Sequence, residues 1–379
     1  MAEFIYLNDP ILAGVQTDGS TTIQPNTPCT YKVYIRDVQR LSDEWKLIYV
    51  GSLYYTKPCY ITLNDIAQSY TNDFYWFDYN SFIDRPDKSD LSFMYFDIMV
   101  EIQDNANHSQ YAYVYNIFNG YRTPNVGDVT AFDPSANTPL YASYRYGYNV
   151  RPRIPSLKDL SKSDFKFPCY VFVNNATTNL SLGLYNEGLP ETTIQTISPI
   201  SRPLQYIDIT YNHLHNVTGP NRSFGISTGD KYTIICDIDD TPADYYLMWI
   251  NRYGSSQCQP FCKKNTLKES VKTNYMTRLN NNTTATYNHR MQLNPQIPYS
   301  KTVEYTWTLN SDWLTYNEYN EFESLLTSKY VYLFDYKHNT IYDVVVSTAN
   351  WEYKHSKNTK KPFNLTIDVK KASADNIIY

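Results

Sequence analysis

Hydrophobic residues recur at every second position along much of this chain. From Ser92 to Gln103, the residues Met94, Phe96, Ile98, Val100 and Ile102 fall on one side of an extended backbone, because successive strand side chains point to opposite faces. After the polar stretch Asp104-Asn-Ala-Asn-His108, the residues Tyr111, Tyr113, Tyr115 and Ile117 resume the alternation, which predicts an antiparallel hairpin. Val303, Tyr305, Trp307 and Leu309 alternate with Glu304, Thr306 and Thr308, and Phe363, Leu365, Ile367 and Val369 alternate with Asn364, Thr366 and Asp368. Both read as half-buried antiparallel strands. Shorter extended segments fall at 30–36, 46–55, 170–173, 232–237, 330–334 and 341–347. The pattern predicts a mainly β protein built from antiparallel β-sandwich modules, with one or two short helices.

Helical spacing is confined to two places. Ser311 or Asp312 supplies a cap for a helix near 311–327, with Leu314, Phe322, Leu325 and Leu326 on its apolar side and Glu318, Glu321 and Glu323 between them. A shorter helix is predicted over 64–70. The stretch from Tyr148 to Lys158 contains Pro152 and Pro155 among basic residues and breaks the periodicity. It predicts a boundary near residue 155, giving an N-terminal β-sandwich over 1–155 and a C-terminal β-rich region over 156–379. The polar run Asn280 to Thr284 reads as a long loop.

Composition narrows the class. A chain of 379 residues has room for two or three domains. With 39 Tyr, 16 Phe and 6 Trp, and 19% charged residues, it is too aromatic to be a disordered chain. A formal charge of −5 argues against a dedicated nucleic-acid binder, which is normally basic. No uninterrupted apolar stretch is long enough to span a membrane. The opening Met1-Ala-Glu-Phe-Ile-Tyr-Leu-Asn-Asp-Pro10 lacks the positive start of a cleaved signal peptide. Cys29, Cys59, Cys169, Cys236, Cys258 and Cys262 therefore read as reduced thiols.

Candidate chemistry is sparse. Gly225-Ile-Ser227-Thr-Gly229 matches the nucleophile elbow in letters, but a strand-like segment follows it where the elbow needs a helix. The carboxylate group Asp237, Asp239, Asp240 and Asp244 has Pro242 where a calcium loop needs its glycine, and reads as an acidic turn. Cys258 and Cys262 have no second ligand pair at zinc-site spacing, although His213 and His215 share a face if their segment is a strand. Lys354, Lys357, Lys360 and Lys361, with Lys370 and Lys371, make the C-terminal end basic and read as a solvated loop between strands. The expectation is a protein without catalytic residues, metal or cofactor.

The tyrosines remain. Tyr141, Tyr144, Tyr146 and Tyr148 crowd one segment with Arg145, Arg151 and Arg153, and Tyr and Arg are typical of interface hot spots. This marks them as candidate contacts between subunits.

One segment carries a family resemblance. Tyr245-Tyr-Leu-Met-Trp249-Ile-Asn251-Arg252-Tyr253-Gly254, followed by Pro260-Phe261, resembles a motif of neck and tail proteins of tailed phages of gut Bacteroidales, including crAss-like phages. In that motif a strand ends in Trp-Leu-Asn-x-Tyr-Gly-Gly before an aromatic. Here Ser255 stands in place of the second glycine, and Cys258 and Cys262 intrude. The opening, with Asn8-Asp-Pro10 and then Tyr60-Ile-Thr-Leu-Asn64-Asp65-Ile66, is similar, as is the late order of Trp313, the Glu-rich helix and Ser328 to Asp335. The resemblance implies a structural virion protein made in the host cytoplasm and assembled as a multimeric ring or hub that connects the portal side to the tail. Its partners would be other copies and neighbouring neck, tail or portal proteins, with DNA only as a channel passenger. On that reading Trp249, Asn251, Arg252, Tyr253 and Phe261 join the candidate contacts. A glycan-binding fibre or adhesin is the alternative for the same aromatic-rich β modules.

Overall fold

The computed structural model describes residues 5–6, 10–15, 23–37, 44–56, 59–70, 95–118, 151–161, 165–172, 180–187, 189–197, 204–215, 217, 219–228, 231–250, 256–277, 296–328, 330–348 and 363–378. The fold is mainly β, as the alternation predicts. No helix among the described residues is long and apolar enough to cross a membrane.

The first sheet is five-stranded and joins β1 (Ile5–Tyr6), β3 (Pro28–Asp37), β4 (Lys46–Tyr54), β6 (Tyr95–Asp104) and β7 (Ser109–Phe118) in the order β1-β7-β6-β3-β4. A two-stranded ribbon of β2 (Leu12–Val15) and β5 (Cys59–Thr62), together with helix α1 (Asn64–Tyr70), contributes to the same core. Val33, Ile35, Phe96, Ile98, Val100 and Ile102 meet Ile11, Ala13, Ile61, Leu63 and Ala67 in one apolar cluster. Each fully buried side chain of this size contributes roughly 1.5–3 kcal/mol of transfer free energy. The Asn64 side chain ties the layers by accepting the Ile11 N–H at 2.9 Å. Gly51 on β4 has a steric reason: a Cβ there would lie 2.5 Å from the Tyr31 ring, which packs against the bare backbone.

The predicted hairpin is present as β6 and β7, paired antiparallel. Asp104 builds its turn, accepting the Ala106 and His108 N–H groups at 2.9 Å each, while Asn107 takes the left-handed conformation at φ 63°. Asn tolerates that region better than most side chains. The pattern on β7 differs from the sequence reading in one respect. Phe96 pairs with Ile117 but Ile98 pairs with Val114, so β7 carries an extra residue between them. That bulge reverses the side-chain parity. Ile117 is buried with the core, whereas Tyr111, Tyr113 and Tyr115 face outward.

The second five-stranded sheet has the order β11-β10-β13-β14-β8, from β8 (Arg153–Pro155), β10 (Leu180–Asn186), β11 (Leu189–Ile197), β13 (Arg222–Thr228) and β14 (Lys231–Asp239). β8 runs parallel to β14, so the stretch around residue 155 is itself a strand of this sheet. Beside it lie the ribbon of β9 (Lys166–Phe172) and β12 (Leu204–Thr210) and the short helix α2 (Tyr211–Leu214). His213 and His215 are therefore on a helical turn and not on one strand face. The His213 ring accepts the Thr210 N–H at 3.1 Å, and the His215 ring stacks on Tyr211.

The last sheet is eight-stranded. Its path is β16-β15-β19-β20-β21-β18-β17, with β22 also on β18. The strands are β15 (Tyr245–Ile250), β16 (Ser256–Phe261), β17 (Thr266–Thr277), β18 (Gln296–Asn310), β19 (Val331–Asp335), β20 (Thr340–Val346), β21 (Thr366–Lys371) and β22 (Asp375–Ile378). β19 is buried at every position, as an interior strand covered on both faces must be. Two short helices, α3 (Tyr316–Glu321) and α4 (Glu323–Thr327), replace the single helix predicted near 311–327. The cap is Thr315, not Ser311 or Asp312. Thr315 Oγ1 accepts the Glu318 N–H at 3.3 Å and the Glu318 carboxylate accepts the Thr315 N–H at 2.7 Å, a reciprocal capping box. Ser311 is engaged elsewhere, its Oγ accepting the Leu365 N–H at 3.0 Å. By compactness the chain forms two units, one of residues 1–242, 248–259 and 327–329, the other of 243–247, 260–326 and 330–379.

Candidate interaction surface

The outer face of the first sheet gathers side chains that are unusual for a solvated surface. On β3, Lys32, Tyr34 and Arg36 alternate with the buried Val33 and Ile35 and point away from the core. Their partners on β6 are Glu101, Met99 and Asp97. On the next strand, Tyr111 lies opposite Glu101 and Tyr113 opposite Met99. Cross-strand neighbours on one face are the units that interact in a sheet, so the pairing fixes this set together.

Glu101 is the electrostatic centre. Its carboxylate accepts the Tyr34 hydroxyl at 2.8 Å, the Ser109 hydroxyl at 3.0 Å, the Tyr111 hydroxyl at 3.4 Å and the Lys32 ammonium at 3.4 Å. Burial alone raises its pKa, but the hydrogen bonds from Tyr34 and Ser109 and the charge of Lys32 outweigh that and hold the carboxyl below its ordinary value. The same contact works the other way on its donor: burial, then the bond and charge of Glu101, push the Tyr34 phenol up to about 12. Tyr111 is raised as well, by burial first, then by the charge of Glu101 and its hydrogen bond. Asp97 is held by Arg36 at 2.7 Å, and both carboxylates are buried although they stand on the side away from the core.

Aromatic rings close the surface over these charges. The Arg36 guanidinium lies 4.7 Å over the Trp45 ring, a cation–π contact. Trp45 meets Tyr113 at 6.1 Å, and Tyr113 stacks on Tyr115 at 5.7 Å with ring planes 1° apart. Met99 is buried beneath this roof. Tyr111, Tyr113 and Tyr115 nevertheless remain 48%, 48% and 49% exposed. Leu47, Val50 and Tyr54 on the edge strand β4 are exposed as well. The result is an aromatic surface with its charges already paired underneath. Such a surface can bury large area against a partner without first desolvating a free ion.

The candidate contacts read from the sequence are distributed differently. Tyr141, Tyr144, Arg145, Tyr146 and Tyr148 lie outside the described residues, as do Asn251, Arg252 and Tyr253. Arg151 pairs with Asp237 at 3.3 Å, and its carbonyl accepts the Gln259 side chain at 3.1 Å. Arg153 is exposed on β8. Trp249 and Phe261 have no exposed surface, and the Phe261 ring meets Phe322 edge-on at 5.9 Å. These two fill the interior.

The other motifs have structural employment. Gly225 to Thr228 lie within β13, whose strand partner β14 follows directly in sequence. Asp237 accepts the Ser223 hydroxyl at 2.8 Å, and Asp240 accepts the Gly219 N–H at 3.3 Å and pairs with Lys158. Cys258 is fully buried, which pushes its thiol well up, while Cys262 is exposed. Among the described residues no three metal-ligating side chains converge. Lys370 pairs with Glu304 and Lys371 with Asp375, whereas Lys354, Lys357, Lys360 and Lys361 lie outside the described residues.

The aromatic surface was missed in the sequence because its tyrosines alternate in the same way as a core strand. A signal was present in its partners. Lys32 and Arg36 on one strand, and Asp97 and Glu101 on another, sit at matching four-residue spacing with opposite sign. Comparison with protein-family models and with curated proteins gives no match for this chain.

Proposed function

We propose that this chain is a structural subunit of a tailed-phage particle, working in a multimeric ring or hub of the neck or tail, and that the outer face of its first sheet is a contact surface. The observation that carries this reading is the row of half-exposed Tyr111, Tyr113 and Tyr115 beside Trp45 and Arg36, the residue types that dominate protein–protein hot spots. The motif from Tyr245 to Phe261 supports the phage assignment by resemblance. The role is one of contact and not of catalysis. The protein is made in the host cytoplasm, takes its place in the virion beside other neck, tail or portal proteins, and meets DNA only as cargo passing through a channel.

The test replaces Tyr111, Tyr113 and Tyr115 together by Ser. The expected result is a chain that stays folded by circular dichroism but no longer enters particles, and an image reconstruction of intact particles that shows this face against a neighbour. Normal incorporation of the triple variant would sink the assignment.

A second reading has its own observation. The parallel rings of Tyr113 and Tyr115, next to Tyr111 and its Glu101 carboxylate, resemble a shallow platform for a sugar ring, as a glycan-binding fibre or adhesin would present. Glycan-array binding lost in Tyr113→Ala and Tyr115→Ala would favour it over the subunit contact.

A further inference from the structure

β17 is an edge strand of unusual length for one left open. Among the described residues it is paired along one side only, by β18, from Thr266 to Thr277. The other side presents the outward half of its backbone N–H and C=O groups, a template for another strand. Its two faces differ. Leu267, Val271 and Tyr275 share the face of Trp307 and Val303, which are buried, yet are themselves 47%, 55% and 57% exposed. The apolar face of the sheet therefore continues onto β17, where it is left uncovered. The opposite face carries Lys268 and Lys272.

We propose that β17 joins two copies of this chain, pairing antiparallel with itself about a two-fold axis through Val271, so that one sheet runs on through both subunits. A two-fold axis normal to the sheet keeps like faces together, so partners on opposite strands come from the same face of β17. With Val271 opposite its copy, Leu267 faces Tyr275, Glu269 faces Thr273, Ser270 faces Lys272 and Lys268 faces Asn274. Every apolar residue of the uncovered face meets an apolar partner, and no like charges stand directly opposite. Moving the axis to Ser270 sets Lys268 against Lys272 on both sides. Moving it to Lys272 sets that residue against itself. Like charges directly opposite destabilise a strand pair, so the lysines exclude the registers centred on Ser270 and Lys272, and Val271 is the centre at which Leu267, Val271 and Tyr275 pair only with one another. This contact is separate from the tyrosine surface of the first sheet and does not depend on it.

The experiment starts from a background carrying Cys169→Ser and Cys262→Ser, in which the remaining cysteines, Cys29, Cys59, Cys236 and Cys258, are all buried. Single cysteines are then introduced as Ser270→Cys, Val271→Cys and Lys272→Cys and oxidised with diamide. The expected result is a disulfide-linked dimer with Val271→Cys and little or none with its neighbours. The wild type should sediment at twice the chain mass, and Val271→Lys, which places two ammonium groups on the axis, should halve that mass without changing the circular dichroism. Val271→Thr should keep the dimer. A monomeric wild type, or cross-linking as strong at 270 or 272 as at 271, would overturn the proposal.

Discussion

β6 and β17 invert what their own sequences suggest. β6 carries Asp97 and Glu101 and buries both, whereas β17 carries Leu267, Val271 and Tyr275 and leaves all three in solvent. The difference lies in sheet order. β6 has β3 on one side and β7 on the other, and each supplies long side chains that lean over it: Lys32, Tyr34 and Arg36 from one, Tyr111 and Tyr113 from the other. Among the described residues β17 has a neighbour on one side only, so nothing there leans over it from the other. A strand's place in its sheet, more than its own hydrophobicity, decides what becomes surface.

That contrast is open to attack by substitution. The largest effect is expected at the inner face of β6. Phe96→Ala removes a fully buried ring and should cost about 3–5 kcal/mol, while Leu267→Ala on β17 should stay within about 0.5 kcal/mol for the isolated chain. Urea unfolding of the two variants checks this, and equal losses would break the comparison. On the outer face of β6, Glu101→Ala strands the Tyr34 and Ser109 hydroxyls and should cost about 1–3 kcal/mol. Glu101 also sets a direction with pH. Its carboxyl is held low in the folded state, so its contribution is complete above the ordinary glutamate range and disappears as the pH falls through the lower folded value. The stability gap between wild type and Glu101→Gln should therefore close on acidification, and a gap that widened would contradict the geometry. The smallest effect is at the turn joining β6 to β7. Asn107→Gly should change stability by only a few tenths of a kcal/mol, because glycine accepts the left-handed backbone freely, whereas Asn107→Val should cost about 1–2 kcal/mol.

Much of this architecture is legible in the sequence. The alternation of Phe96, Ile98, Val100 and Ile102 and that of Val303, Trp307 and Leu309 mark strands whose apolar side is buried, because burial acts on each side chain wherever its neighbours come from. The turn at 104–108 is equally local, since Asp104 and Asn107 act within a few residues. What escaped depends on other strands. Nothing within β7 states that Tyr111, Tyr113 and Tyr115 face outward: one extra residue before Ile117 decides it, and the decision is enforced by pairing with Phe96. Trp249 and Phe261 escaped for the complementary reason. An aromatic in a recognisable motif looks the same in sequence whether it is displayed or packed, and these two are packed. The helix cap moved from Ser311 to Thr315 because Ser311 is drawn to the Leu365 backbone, a partner distant in sequence.

The bulge in β7 has a consequence for how this surface can change over evolutionary time. Upstream of it the strand shows tyrosines to the outside, and downstream Ile117 anchors it to the core, so the two stretches vary under separate constraints. Point substitutions at Tyr111, Tyr113 or Tyr115 alter the displayed surface while the anchor stays in place. Insertion or deletion of a single residue between Val114 and Ile117 instead exchanges inside for outside and forfeits both at once. Lineages of this protein should therefore change those outward residues only in step with the partner surface they meet, while keeping the length of β7 constant.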